Sequence, residues 1–168
     1  MIRVQMRSAD TAGASRTVEM IADRLHDFRE PLTLAAAYVR DETRSRYESR
    51  GFGEWPPLAE STVARKTSQG NPDPSRQLYA EGDLFESVTT AHGPFSFTIL
   101  EPMRVIIGAD WQVGSWQIPT VLSEGTDNAG VGHHTHIPAR PIWPPGRDLV
   151  TGVSRILRNH IRAPVSYL

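Results

Sequence analysis

The chain has 168 residues, 39% of them hydrophobic and 22% charged, with a net charge of −1. That describes one soluble globular domain with no overall field to draw it to nucleic acid or to a membrane surface. It has no cysteine, which excludes a disulfide framework, a zinc–thiolate site and a cysteine nucleophile. No apolar run approaches the roughly 18 residues of a membrane span, and the first ten residues lack the apolar segment of a secretory signal.

Ile2, Val4 and Met6 alternate with polar residues, which predicts a short strand. Asp10 to Ser15 reads as a turn, with Ser15 as the N-cap of the helix that follows. Val18, Ile21, Leu25, Phe28, Leu32, Ala35 and Val39 then recur at spacings of three and four. Pro31 lies off this seam, and proline both removes a helical hydrogen bond and crowds the preceding turn. One bent helical unit over about residues 16–49 is therefore expected, stopped by Gly51. Its Asp, Glu and Arg residues, Arg40, Arg44 and Arg46 among them, read as a solvated face of i,i+4 pairs.

Phe52 to Leu58 is an aromatic–proline corner in which Phe52 and Trp55 are expected to plug the core. Ser61 or Thr62 is placed to cap a short helix ending near Lys66, the one lysine of the chain. Polar, proline-rich residues 69–77 read as a mobile loop. Asp83 to Thr89 reads as a second short helix, with Gly82 in the turn before it. From Phe95 the period changes to two, and Phe95–Ile99 with Arg104–Gly108 predicts an antiparallel hairpin. Asp110 to Gly132 reads as irregular, and residues 126–136 as a second mobile loop. Gly146 to Ile161 predicts a final helix with Leu149, Val150, Val153, Ile156, Leu157 and Ile161 on its apolar face. The expected fold is a single α+β domain over 1–168, with the long N-terminal helix and the C-terminal helix packed on a small antiparallel sheet.

Chemistry is sparse. His133, His134 and His136 are candidate metal ligands, because alternate residues of a strand share a face. An exposed loop bearing surface histidines is the plainer account. No phosphate-binding glycine loop and no nucleophile motif is present. Arg155, Arg158 and Arg162 sit at spacings of three and four on the last helix, a stripe suited to a phosphate backbone or to solvent.

The order of six segments resembles the phage virion morphogenesis family, the tail-completion proteins that include the G protein of phage Mu, and the neighbouring head–tail joining (neck) proteins. The first is a helix ending in an aromatic and a glycine, at Tyr47, Gly51 and Phe52. Next comes Trp-x-Pro-Leu with a following Thr and Lys, at Trp55, Pro57, Leu58, Thr62 and Lys66. Leu78, Gly82, Leu84 and Ser87 match a Leu-x-x-x-Gly-x-Leu-x-x-Ser segment. Val105 to Gly108 match a valine-rich strand ending in glycine, and Glu124 to Thr126 a Glu-Gly-Thr turn. Ile137, Pro138, Ala139, Arg140 and Pro141 complete an Ile-Pro-Ala-Arg-Pro run before the last helix. Glu81, where the family often has Thr, and Trp116-Gln117, in place of an aromatic-Ala pair, depart from the pattern.

The resemblance implies an α+β structural protein with neither catalytic residues nor a cofactor. It implies self-association into a ring, commonly sixfold, at the head–tail junction, with other neck and tail proteins as partners and no membrane. Such a protein would reside in the virion, and in the host cytoplasm during assembly. DNA passing through the ring would meet Arg155, Arg158 and Arg162. A small metal-dependent enzyme built on the histidines, or a DNA-binding module built on the arginines, is the alternative.

Overall fold

The structure is a computed structural model that describes residues 8–130, 132 and 134–162, without the side chains of 8–14, 16 and 17. The strand expected at Ile2, Val4 and Met6 lies outside the described residues. The elements run in the order α1 (Ser8–His26), α2 (Arg29–Glu48), α3 (Glu60–Ser68), α4 (Asp83–Thr89), β1 (Ser96–Glu101) and β2 (Arg104–Ala109). They continue with β3 (Gln112–Val113), β4 (Trp116–Gln117), α5 (Ile118–Glu124), β5 (Thr126–Ala129), β6 (Thr135–Ile137) and α6 (Gly146–Arg162). This is an α+β fold in which the strands of the described residues form three separate antiparallel pairs, β1–β2, β3–β4 and β5–β6, in place of one small sheet.

The expected N-terminal unit is two helices. Helix α1 already begins at Ser8, so Ser15 is an internal residue and not a cap. The chain breaks at Asp27–Phe28, four residues before the proline. Pro31 has no N–H to offer Asp27, and it falls in the first turn of α2, where a missing donor costs nothing. The break is stitched from both sides. Asp27 Oδ1 accepts from Arg29 N at 2.9 Å, and Phe28 N donates to Pro102 O in the β1–β2 turn at 2.6 Å.

Helix α2 is the centre of the fold. It packs against α6 on one side and against α4 and the β1–β2 hairpin on the other. On the α6 side Gly152 is required, because a Cβ there would overlap the Tyr38 ring. On the other side lies the buried cluster Tyr47, Trp55, Leu84, Val88 and Ile142, with Leu78, Phe85, Trp111, Leu122 and Trp143 packed around it.

Two arginines expected on a solvated face are buried here. Arg40 donates to Thr90 O (2.7 Å), Phe97 O (3.2 Å) and Thr98 Oγ1 (2.9 Å), fastening the hairpin to α2. Arg46 donates from Nε to Pro141 O at 2.8 Å. A guanidinium fork can serve several acceptors at once, so backbone carbonyls satisfy Arg40, and Arg46 adds a looser pair with exposed Glu54 at 3.7 Å.

Phe52 is also not the core plug expected of it. It is 63% exposed and lies under the Arg46 guanidinium, 5.8 Å from its ring centroid. Helix α3 is capped at Ala59 and not at Ser61 or Thr62. The stretch read as irregular holds α5, started by Pro119 in its first turn.

Candidate functional site

The motif segments that are distant in sequence converge on one open groove of about 950 Å³. Pro57, Leu58, Leu78, Gly82, Leu84, Ile137, Pro138 and Arg140 all line it. Trp55, which is buried, and Pro141 are not among its lining but link two of these segments, Trp55 Nε1 donating to Pro141 O at 3.2 Å.

The Trp55 corner is made by glycine. Gly51 has φ +68°, and a Cβ there would overlap the Trp55 indole, so the tight return from α2 and the buried ring need each other. Tyr47 meets Trp55 edge-on, ring centroids 5.3 Å apart. The 137–141 run is laid across this corner by Arg140, which is 4% exposed. It donates from Nε to Pro56 O (3.0 Å) and from Nη2 to Pro57 O (2.9 Å), while its backbone N donates to Leu122 O (3.1 Å). Those prolines leave carbonyls that no local helix or strand uses, and the guanidinium fork takes both.

The opposite wall depends on Lys66, 6% exposed. Its Nζ donates to Arg76 O (2.7 Å) and Tyr79 O (2.6 Å), holding the 69–77 loop and the turn before α4. That loop is also tied by Asp73, which accepts from Ser75 Oγ at 2.9 Å and pairs with Arg50 at 3.2 Å. Gly82 has φ +109° at the start of α4. Ser96 Oγ donates to the carbonyl of buried Ser87 at 2.7 Å, bringing the hairpin onto α4.

Burial of the two cations lowers the pKa of each. Desolvation pulls the Arg140 guanidinium below its ordinary value. It does the same to the Lys66 ammonium, against a smaller upward pull from Asp73. Trp111, Ile118 and Leu122 complete the apolar lining. They come from the region that reads as irregular in sequence; of the apolar residues that stand out there, Trp111, Trp116, Val121 and Leu122, the first and last line the groove, and Ile118 does not stand out.

The histidines stand apart from this chemistry. His133 lies outside the described residues. His134 precedes β6 and is exposed, and His136 is exposed at the groove margin with Nδ1 2.5 Å from Asp127 Oδ1. Among the described residues no three His, Asp or Glu side chains are grouped to hold a metal ion.

Arg155, Arg158 and Arg162 are all exposed on α6. Arg147 belongs with them: at about 100° per residue the four fall within an arc of about 80°. The eight-residue step from Arg147 to Arg155 carried that signal in the sequence. Val150 and Ile161, 60% and 43% exposed, form an apolar stripe beside them. Among the described residues no helix is long and apolar enough to cross a membrane.

No protein-family model, no curated protein and no solved structure matches the chain.

Proposed function

We propose that this protein is a structural component of a tailed-phage virion that assembles into a ring at the head–tail junction, with the α6 arginines toward the DNA path. The observation that favours a ring is a pair of unlike apolar surfaces left exposed among the described residues. One is the seam Val18, Ile21 and Leu25 of α1, continued by Leu34 of α2. The other is the outer face of the hairpin, where Phe97, Ile99 and Ile106 are exposed around Gly108, whose missing side chain leaves room for the Phe97 ring.

Large exposed apolar patches mark interaction sites. A cyclic assembly joins one patch to a different patch on the next copy, and so needs two of unlike shape. The resemblance of the Trp55–Leu58, Leu78–Ser87 and Ile137–Pro141 segments to tail-completion proteins supplies the biological setting.

Light scattering and negative-stain electron microscopy of the purified protein test this. Closed rings of fixed copy number are expected, reduced to monomers by Ile21→Asp or Ile99→Asp. A protein that stays monomeric at about 100 μM, and whose loss leaves phage particles complete, would sink the idea.

A further inference from the structure

The groove pairs apolar walls with buried positive charge. Lys66 and Arg140 border it, yet among the described residues neither makes an ion pair, and their hydrogen bonds go to backbone carbonyls. Two of the three Lys66 ammonium hydrogens are engaged in this way. Arg65, exposed on the rim, adds a third cation. Glu81 and Asp83 also border the groove, but Asp83 sits in the first turn of α4, where the helix N-terminus takes up its charge. Asp73 acts on Lys66 through space, with less effect than its burial. Buried cations so incompletely compensated are costly, and an anion arriving in the groove offsets that cost.

The second observation is an open strand edge. Thr135, His136 and Ile137 all touch the groove. Successive side chains of a strand point to opposite faces, so three in a row border a space only if it runs along the strand's edge. Among the described residues strand β6 pairs with β5 and with no other strand, which leaves its other edge open there. Such an edge is a template for an added strand, with pockets for alternate side chains.

We propose that this groove binds an extended peptide segment of another polypeptide, added as a strand to the free edge of β6, in which acidic side chains alternate with apolar ones. The acidic side chains face Lys66, Arg140 and Arg65. The apolar ones fill the space between Leu58, Leu78 and Ile137. This does not rest on the ring: a monomer with a working groove and a ring with a dead one are both observable.

The probe is an end-capped, fluorescein-labelled octapeptide of alternating Val and Glu, titrated with the full chain and followed by fluorescence anisotropy. Saturable binding at tens of micromolar is expected, in the range of about −6 to −7 kcal/mol. Arg65→Glu should weaken it about tenfold, and Ala80→Trp, which fills the groove from an exposed position, should abolish it. Both sites are on the surface, so thermal unfolding should be unchanged and loss of fold cannot mimic the result. The same peptide with Lys in place of Glu should not bind, and N-methylation of alternate amides should abolish binding in one register only. No saturation by 1 mM, equal binding to both variants, or indifference to N-methylation in both registers would overturn the proposal.

Discussion

Arg140 Nη2 donates to the carbonyl oxygen of Pro57 at 2.9 Å across 83 residues of sequence. With the Nε bond to Pro56 O, this one side chain fixes the angle between the Trp55 corner and the run that leads into α6. Local propensity cannot set that angle, because prolines at 56, 57, 138 and 141 leave the strands of chain without ladder partners.

Replacing Arg140 by Met keeps most of the volume and leaves the two partly buried carbonyls of Pro56 and Pro57 without their donor. Each orphaned group costs about 1–3 kcal/mol, partly offset by removing a buried charge. A net loss of about 2 kcal/mol is expected, read as a lower urea midpoint and a Tm drop of about 4–8 °C for a chain of this size. Arg140→Lys should recover little, since an ammonium lacks the fork. Unchanged stability in Arg140→Met would mean that the desolvation cost of the charge cancels its hydrogen bonds.

Gly51 and Gly53 form a controlled pair. Both have positive φ, +68° and +84°, but a Cβ at Gly51 meets the Trp55 indole, whereas at Gly53 nothing lies within 4 Å. Gly53→Ala should cost about 1 kcal/mol from conformation alone. Gly51→Ala should cost about 2–4 kcal/mol and change the near-ultraviolet circular dichroism as the indole is displaced. Equal costs in chemical denaturation would show that the indole yields without resistance.

Period was readable wherever one face is buried and the other is not. The alternation from Phe95 pointed to the hairpin, in which Ile99 pairs with Ile106, and the apolar spacing from Leu149 to Ile161 pointed to α6, although Val150 and Ile161, expected on its apolar face, are exposed. Pro31 announced an interruption, but the seam running through it concealed a full break, since Val18, Ile21 and Leu25 keep the helical spacing while exposed. Helix α5 is seven residues long with a proline in its first turn, too short for any period to show. Arg40 and Arg46 sit among acids at helical spacings and so read as surface; their carbonyl partners lie up to 95 residues away. The groove was legible only as pieces, because Arg140 and Lys66 assemble it through backbone oxygens that carry no sequence signal.

Tyr47 carries a buried hydroxyl with no hydrogen-bond partner among the described residues, held between Trp55 and Phe85. Tyr47→Phe should therefore be neutral or stabilising by up to about 1 kcal/mol at neutral pH. Burial pushes the phenol well above its ordinary value, against a smaller downward pull from Arg76. The unfolded chain then ionises first. The stability due to a neutral Tyr47 is complete below about pH 10 and declines as pH rises beyond it. Urea midpoints at pH 8 and pH 11 should fall less in Tyr47→Phe than in the parent, by up to about 1.4 kcal/mol for each pH unit above 10. Parallel declines would place the hydroxyl in contact with water.

The arginine stripe of α6 is separable from the fold. Arg147, Arg155, Arg158 and Arg162 are exposed, and the opposite face of the helix, with Gly152 against Tyr38, holds it to α2. Replacing Arg155, Arg158 and Arg162 by Gln should change stability by less than about 0.5 kcal/mol. If the stripe meets a DNA backbone, each phosphate contact contributes about 0.9 to the slope of log affinity against log salt. The triple variant should lower that slope by up to about 3, and adding Arg147→Gln should lower it by about 1 more. Filter binding of the assembled protein to duplex DNA from 50 to 200 mM salt measures it. A parent protein with no salt-dependent binding, or a slope untouched by the four substitutions, would make the stripe a solvated face. Two unlike sequences of duplex should give equal affinities, because contacts to phosphate carry no base information.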